Sequence, residues 1–260
     1  MTDLHEQLAD HLHRAYIERR PVPRLTATHP DLTLEDAYRV QQGLVARILG
    51  AEGGRQVGFK LGLTSKPMQQ LLGIDTPDYA PVLSSMVFDS GQAIGLDRYI
   101  QPKVEAEIAL VLDEPLRGPG VTAVQARRAI GGAVAAIEMV DSRIADWDIG
   151  FLDTVSDLAS SAAAVLSSRV VPLDGFDPRT CGMVVSRGGR VEDTGAGAAA
   201  LGDPVAAVAW LANTVAAFDV TLEPGWFVMT GALHRAFEVV AGDVVRADFD
   251  HLGSVTARFV

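Results

Sequence analysis

Apolar residues recur at helical spacing in two runs near the start of the chain: Leu4, Leu8, Leu12 and Ala15, then Ala37, Val40, Leu44 and Ile48. The first run stops at residues 19–23, where two prolines occur. The second follows Thr33, with Asp36 three residues later as a capping-box partner, and ends at a cluster of glycines. The pattern predicts two amphipathic helices.

From residue 56 the hydrophobic period changes to two. Val57, Phe59 and Leu61 would share one face of a strand, which places Lys60 on the other face between two glycines. Ser65 and the proline after it predict a short helix that ends at residue 73. The proline-rich segment 76–81 predicts a loop that carries Asp78.

Beyond residue 86, short β segments are predicted at about 104–112, 133–140, 181–192, 225–230, 237–249 and 254–260. The third contains a hairpin turn at 187–189. Two helices interrupt them, one capped by Thr122 with Gln125 and one opened by Asp203 and Pro204. The predicted fold class is α+β: a helical N-terminal region, residues 1–85, packs on a β-rich body, residues 86–260.

Composition narrows the classes of function. The chain has 260 residues, 48% of them hydrophobic, one cysteine and a net charge of −11. A large core is expected, an intramolecular disulfide is impossible, and no basic stripe favours nucleic acid. Polar residues interrupt every long apolar run, and no signal peptide is recognisable, so we expect a cytoplasmic protein that does not cross a membrane.

Two glutamates are the main candidates for functional residues. In a strand over 104–112, Glu105 and Glu107 would lie side by side, opposite a continuous apolar face. Their repulsion requires either an exposed acidic edge strand or a cation between them, and carboxylate oxygens are typical ligands of Mg²⁺ or Mn²⁺.

A third carboxylate bears on that choice. Glu138 interrupts an otherwise apolar strand, where an unpaired charge is costly. Its partner is either Arg143, close by in sequence, or a metal shared with the other two glutamates. A three-carboxylate metal site would suit an oxo-acid, since the substrate's own oxygens complete the coordination.

Other motifs carry less weight. Residues 195–200 match a dinucleotide fingerprint but lack the strand–helix context, and Cys181 is expected in the core. The histidines near the N-terminus fit the polar face of a helix, which leaves His234 as the histidine that could flank a site. Of 22 basic Lys and Arg side chains, three are lysines, and a lysine can lose its proton where arginine cannot.

The ordered motifs resemble the 2-keto-4-pentenoate hydratases of the fumarylacetoacetate hydrolase superfamily. The matching segments are residues 58–65, 77–79, 101–109, 137–144, 146–147, 180–183, 195–202, 209–214 and 253–255. They extend over nearly the whole chain. The resemblance implies the mixed β fold of fumarylacetoacetate hydrolase C-terminal domains and a homo-oligomer that can associate with a pathway decarboxylase.

The resemblance also implies site residues. It assigns Glu105, Glu107 and Glu138 to a divalent metal, Mg²⁺ or Mn²⁺, and makes Lys60 and Asp78 catalytic. We add Ser160, Ser161 and Thr230 as candidates for binding the substrate carboxylate. The substrate would be a 2-hydroxy-2,4-dienoate from the catabolism of aromatic rings, and its carboxylate and 2-oxygen would chelate the metal while water adds at C4.

Three alternatives stay open: a 4-oxalocrotonate decarboxylase, a C–C hydrolase acting on an acylpyruvate, and a catalytically weak partner subunit. The decarboxylases usually carry Ile where Asp78 stands, which favours the hydratase. Two departures from the family pattern concern the substrate: Leu158 stands where Asn is usual, and Ala80 where Gly is usual.

Overall fold

The computed structural model describes residues 3–66, 69–70 and 73–260, and it begins with three helices. These are α1, Leu4–Glu18, α2, Leu25–Thr28, and α3, Leu34–Glu52. Thr33 and Asp36 form the predicted capping box of α3. Leu8 and Leu12 of α1 are buried where α1 packs on α3, so the apolar stripe read from the sequence is the contact face.

The other strands and α-helices bounded within the described residues follow these three. They are, in chain order: β1 Gln56–Gly62, β2 Asp78–Leu83, β3 Val87–Asp89, β4 Ala93–Ile94, β5 Lys103–Leu112, α4 Ala123–Ala129, β6 Ile130–Val140, α5 Phe151–Ser156, β7 Ser161–Leu166, β8 Gly182–Arg187, β9 Arg190–Ala196, α6 Pro204–Val215, β10 Phe227–Met229, β11 Phe237–Glu238, β12 Val244–Phe249 and β13 Gly253–Phe259.

The described strands form two mixed sheets. The larger has the order β2-β1-β10-β5-β6-β7-β3, with β11 also paired to β5, and the smaller has the order β4-β13-β12-β8-β9. β1 runs parallel to β10, whereas β5 is antiparallel to both β10 and β6. Strands from both halves of the chain therefore share the larger sheet, and β5 lies in its interior.

One helical segment of the described chain, residues 197–218, is long and apolar enough to span a membrane by length and composition. Its central part, α6, packs on α4 and β5, and most of its apolar side chains are buried there. A helix at the core of a globular protein has the same composition.

Several predictions from the sequence are confirmed. The N-terminal helices, the capping box of Thr122 with Gln125, and strands β5 and β6 lie where the pattern placed them. The predicted hairpin is β8 and β9, joined by Gly188 and Gly189, both with positive φ. Strand β7 was not predicted, and the segment 237–249 forms two strands rather than one. The helix predicted from Ser65 to residue 73 lies partly outside the described residues.

The loop predicted around Asp78 is wrong. Asp78 is the first residue of β2, which pairs antiparallel with β1 at the end of the sheet order. A proline is compatible with an edge strand because one side of such a strand has no ladder to complete. Pro81 therefore does not prevent strand formation there.

Candidate active site

One face of the larger sheet carries the predicted acidic and basic residues together. Glu105 lies directly opposite Glu138 in the β5–β6 register, and Glu107 follows two residues along the same face. Across the other edge of β5, Ala109 pairs with Met229, which pairs in turn with Lys60. Since directly paired residues project to the same face, the register places Lys60 beside the glutamates.

The three glutamates form a tight cluster. One carboxylate oxygen from each of Glu105, Glu107 and Glu138 lies within 4.8 Å of the others. Glu107 and Glu138 are fully buried. Glu107 Oε2 accepts a hydrogen bond of 2.9 Å from the Gly231 N–H, whereas Glu107 Oε1 and both Glu138 oxygens have no hydrogen-bond partner among the described residues.

This geometry decides between the two interpretations of the glutamate pair. An acidic edge strand is excluded because β5 is flanked by β10 and β11 on one side and β6 on the other. Buried carboxylates opposite one another repel strongly, and unpaired oxygens in the interior are costly. The donor set is thus the kind that a hard divalent cation requires.

Lys60 is the cation nearest to Glu138. Its Nζ lies 3.5 Å from Glu138 Oε1 and donates a hydrogen bond of 2.8 Å to the Ala159 carbonyl oxygen. The side chain is buried. The alternative partner for Glu138, Arg143, pairs instead with Asp157. The ammonium of Lys60 is therefore held between a backbone oxygen and the acidic cluster.

Asp78, the first residue of β2, lies on the same face of the sheet. It pairs with Gly62, and a Cβ at Gly62 would lie 2.1 Å from Asp78 Oδ1 and 3.3 Å from Lys60 Nζ. The Asp78 carboxylate thus occupies the space that a side chain at residue 62 would need. Asp78 is buried, and its Oδ1 has no hydrogen-bond partner in the described structure.

A turn with left-handed backbone completes the surroundings of Lys60. Leu158, Ala159 and Ser160 have φ of 55°, 47° and 55°, a conformation that non-glycine residues rarely adopt. Arg143 holds both ends of this turn: its guanidinium donates to the Asp157 side chain and carbonyl and to the Ser161 carbonyl. The buried arginine thereby stabilises the strained backbone that presents the Ala159 oxygen to Lys60.

The charges in this face shift one another's pKa. Burial raises the pKa of Glu105 to about 7, with the Glu138 charge adding to the rise and Lys60 opposing it. Burial likewise raises the pKa of Glu107, Glu138 and Asp78. Burial alone would lower the pKa of Lys60, but the four surrounding carboxylates outweigh it and the pKa is raised. In the metal-free chain the surrounding carboxylates therefore favour the protonated ammonium of Lys60.

The predicted carboxylate-binding residues occupy different positions. Ser160 lies in the left-handed turn beside Ala159, and its buried Oγ has no hydrogen-bond partner among the described residues. Ser161 begins β7, and its carbonyl accepts from Arg143. Thr230 Oγ1 donates to the Ile108 carbonyl oxygen. The hydroxyl of Thr230 is therefore already engaged, whereas the buried hydroxyl of Ser160 is not.

Some groups that contact the site residues were not predicted from the sequence. The Ala159 carbonyl and the Gly231 N–H are backbone groups, so no side-chain pattern marks them. The Arg143–Asp157 pair was not predicted either, although Arg143 stands in a segment that matches the family. Their only signal was charge inside apolar sequence.

The chain is similar to proteins of known function. The family model for the C-terminal region of fumarylacetoacetate hydrolase matches residues 66–260. The chain belongs to the fumarylacetoacetate hydrolase family. It is 44% identical to a 2-keto-4-pentenoate hydratase of Burkholderia vietnamiensis over 97% of this chain and 96% of the relative. It is 37% identical to a 2-oxo-hept-4-ene-1,7-dioate hydratase of Escherichia coli, over 98% of each.

A solved structure of this family has nearly the same fold. The 4-oxalocrotonate decarboxylase of Pseudomonas putida, complexed with magnesium and adipate, superposes with a TM-score of 0.94. It is 35% identical, and the match covers 98% of this chain and 97% of that one. The α+β fold with a mixed sheet is thus confirmed as the fold of this family.

Proposed function

We propose that this protein is a metal-dependent hydratase that adds water to a 2-hydroxy-2,4-dienoate in the breakdown of aromatic compounds. The observation that carries the proposal is the buried cluster of Glu105, Glu107 and Glu138, with Lys60 and Asp78 on the same sheet face. The full-length similarity to curated hydratases supports the choice of reaction.

The three glutamates fit a divalent cation. They offer oxygen ligands only, two of the side chains are fully buried, and three of their oxygens lack a hydrogen-bond partner in the described structure. We propose Mg²⁺ or Mn²⁺, both of which favour such donors. When bound, the ion supplies a Lewis acid that stabilises negative charge on an oxygen of the substrate.

Lys60 is proposed to move the first proton. In 2-hydroxypenta-2,4-dienoate the proton leaves the 2-hydroxyl group and another is added at C5, which gives the conjugated 2-oxo-3-enoate. Lys60 Nζ has a fixed donor direction through the Ala159 oxygen and lies beside Glu138. Lysine serves because it can release and regain a proton, which arginine cannot do.

Asp78 is proposed to act in the second step, in which the oxygen of water bonds to C4 and its proton is added at C3 to give 4-hydroxy-2-oxopentanoate. A buried carboxylate with a raised pKa and a free oxygen is suited to accept a proton from water near neutral pH. The room for its carboxylate, left by Gly62, places it next to Lys60.

Ser160, Ser161 and Thr230 remain our candidates for holding the substrate carboxylate. The Ser160 hydroxyl is the best placed because it is buried, unpaired among the described residues and adjacent to Ala159. We further propose a soluble, cytoplasmic homo-oligomer that can associate with a pathway decarboxylase. The chain has a single cysteine, so its fold relies on no intramolecular disulfide, as is usual for cytoplasmic proteins.

The decisive experiment follows the ultraviolet absorbance of freshly generated 2-hydroxypenta-2,4-dienoate. We expect rapid loss with purified enzyme and Mn²⁺ or Mg²⁺, and no loss above background after EDTA. Identification of 4-hydroxy-2-oxopentanoate as product would confirm hydration. Metal-independent turnover would contradict the role of the glutamates.

A decarboxylase is the second candidate, because the 4-oxalocrotonate decarboxylase of Pseudomonas putida has nearly the same fold. Release of CO₂ from 4-oxalocrotonate, measured beside hydration, separates the two. Formation of an acid from an acylpyruvate would instead indicate a C–C hydrolase. Mn²⁺ binding without turnover of any of these substrates would indicate a weak partner subunit.

A further inference from the structure

Strand pairing is interrupted along the edge of β5 that faces away from β6. β10 pairs with Ala109 and the two residues after it, and β11 pairs with Lys103 and Val104. Between these two pairings lie Glu105 and Glu107, whose side chains form the acidic cluster. The sheet therefore lacks a regular neighbouring strand at the segment whose backbone determines where the two carboxylates point.

The connection between β10 and β11 fills this gap with individual hydrogen bonds. The Thr230 N–H donates to the Ile108 carbonyl oxygen at 3.2 Å, and the Leu233 N–H donates to the Ala106 carbonyl oxygen at 3.0 Å. The Ala106 N–H lies on the same edge, where in a regular ladder it would donate to a backbone carbonyl. Here it donates to a side chain instead, His234 Nε2, at 2.8 Å.

The imidazole is oriented for this contact. Its Nδ1 lies 2.8 Å from the Arg235 carbonyl oxygen, which can only accept, so Nδ1 carries the proton and Nε2 presents its lone pair. The ring also contacts Phe237, at 5.7 Å between ring centroids. Nδ1 and one side of the ring are thus held by contacts other than the one with Ala106.

We propose that His234 is a positioning residue for the acidic cluster. By accepting the Ala106 N–H, it fixes the backbone between Glu105 and Glu107 and so sets the spacing of their carboxylates. The same connection supplies the Gly231 N–H that holds Glu107 Oε2, so one segment constrains both the backbone and a carboxylate oxygen. This inference rests on the proposed metal function of the cluster.

The first test measures the hydrogen bond itself. His234→Phe keeps an aromatic ring but removes the acceptor, and we expect exchange of the Ala106 amide proton, followed by NMR, to become about tenfold faster. His234→Gln retains an acceptor at the position of Nε2 and should restore slow exchange to within about threefold. His11→Phe, on α1, is the control and should leave this amide unchanged.

The second test measures Mn²⁺ affinity by electron paramagnetic resonance, without substrate. Loss of a group that orients metal ligands typically weakens metal affinity by roughly 10- to 100-fold, which we expect for His234→Phe, with recovery in His234→Gln. Thermal unfolding should show all three variants folded. The rescue separates positioning from general packing, because glutamine restores the acceptor but not the ring.

Two outcomes would overturn the inference: unchanged exchange at Ala106 in His234→Phe, or faster exchange with Mn²⁺ affinity equal to that of the wild type. A glutamine variant no better than phenylalanine would also contradict it. If the wild-type protein itself binds no Mn²⁺, the proposed function fails and the positioning role fails with it. The exchange data still report in that case whether the hydrogen bond exists.

Discussion

The metal-free protein should lose stability as the pH rises from 5 to 8. In the folded chain the pKa of Glu105 is raised to about 7 from its ordinary value of 4.5, chiefly by burial and by the Glu138 charge. A carboxyl whose pKa is raised on folding stabilises the protein while it is protonated. That contribution is complete below the unfolded pKa and is lost as the pH rises through the folded pKa.

The size of the effect follows from the difference between the two pKa values. About 2.5 pH units correspond to about 3 kcal/mol in the free energy of unfolding. For a chain of 260 residues this is roughly 6 to 12 °C in melting temperature. Glu107 and Glu138, whose pKa values are also raised, act in the same direction.

The assay is thermal unfolding at pH 5, 6, 7 and 8, with EDTA and with saturating Mn²⁺. In EDTA we expect the melting temperature to fall across this range, and in Glu105→Gln, which does not titrate, to fall less. Mn²⁺ requires ionised ligands, so its stabilising effect should grow with pH. If Glu105→Gln shows the same decrease as the wild type in EDTA, titration of Glu105 is not the cause of the loss.

Three further changes test the other groups. Lys60→Arg keeps the positive charge, but arginine cannot give up its proton, so turnover should fall by about 10² to 10⁴. The control is Lys66→Arg, outside the cluster, which should keep wild-type turnover. Gly62→Ala puts a methyl group 2.1 Å from Asp78 Oδ1, so the carboxylate must move. Turnover should fall by about 10², with Mn²⁺ affinity nearly unchanged. Gly50→Ala, whose methyl group would meet no atom within 4 Å, is the control. Glu138→Gln removes one anionic ligand and should weaken Mn²⁺ binding, measured by calorimetry, by at least tenfold, and wild-type affinity would exclude Glu138 as a ligand.

The sequence predicted which residues share a face, but not which strands meet. Alternation along 104–112 was enough to place Glu105 beside Glu107, because the period of a strand is local. The position of Glu138 directly opposite Glu105 depends on the β5–β6 register, which joins residues 33 positions apart. Only the family resemblance had placed these three side chains with Lys60.

Two local features were beyond prediction for a physical reason. Asp78 was expected in a loop because prolines surround it, and only its place in an edge strand makes the prolines acceptable. The left-handed turn at Leu158 and Ala159 contradicts the backbone preference of both residues. It is stabilised by Arg143, which precedes Asp157 by 14 residues and is brought to the turn only by the fold of the chain between them. The domain division at residue 85 remains a prediction.

The charge balance of the site explains why these separate features belong together. Four carboxylates, Glu105, Glu107, Glu138 and Asp78, surround the ammonium of Lys60. If all are ionised, the negative charges outnumber this ammonium in a buried place, and the raised pKa values of Glu105, Glu107 and Glu138 reflect that imbalance together with burial. A divalent cation would cancel two of those charges. It would also weaken the field that keeps Lys60 protonated, so the same ion that stabilises the cluster would free the lysine to exchange its proton.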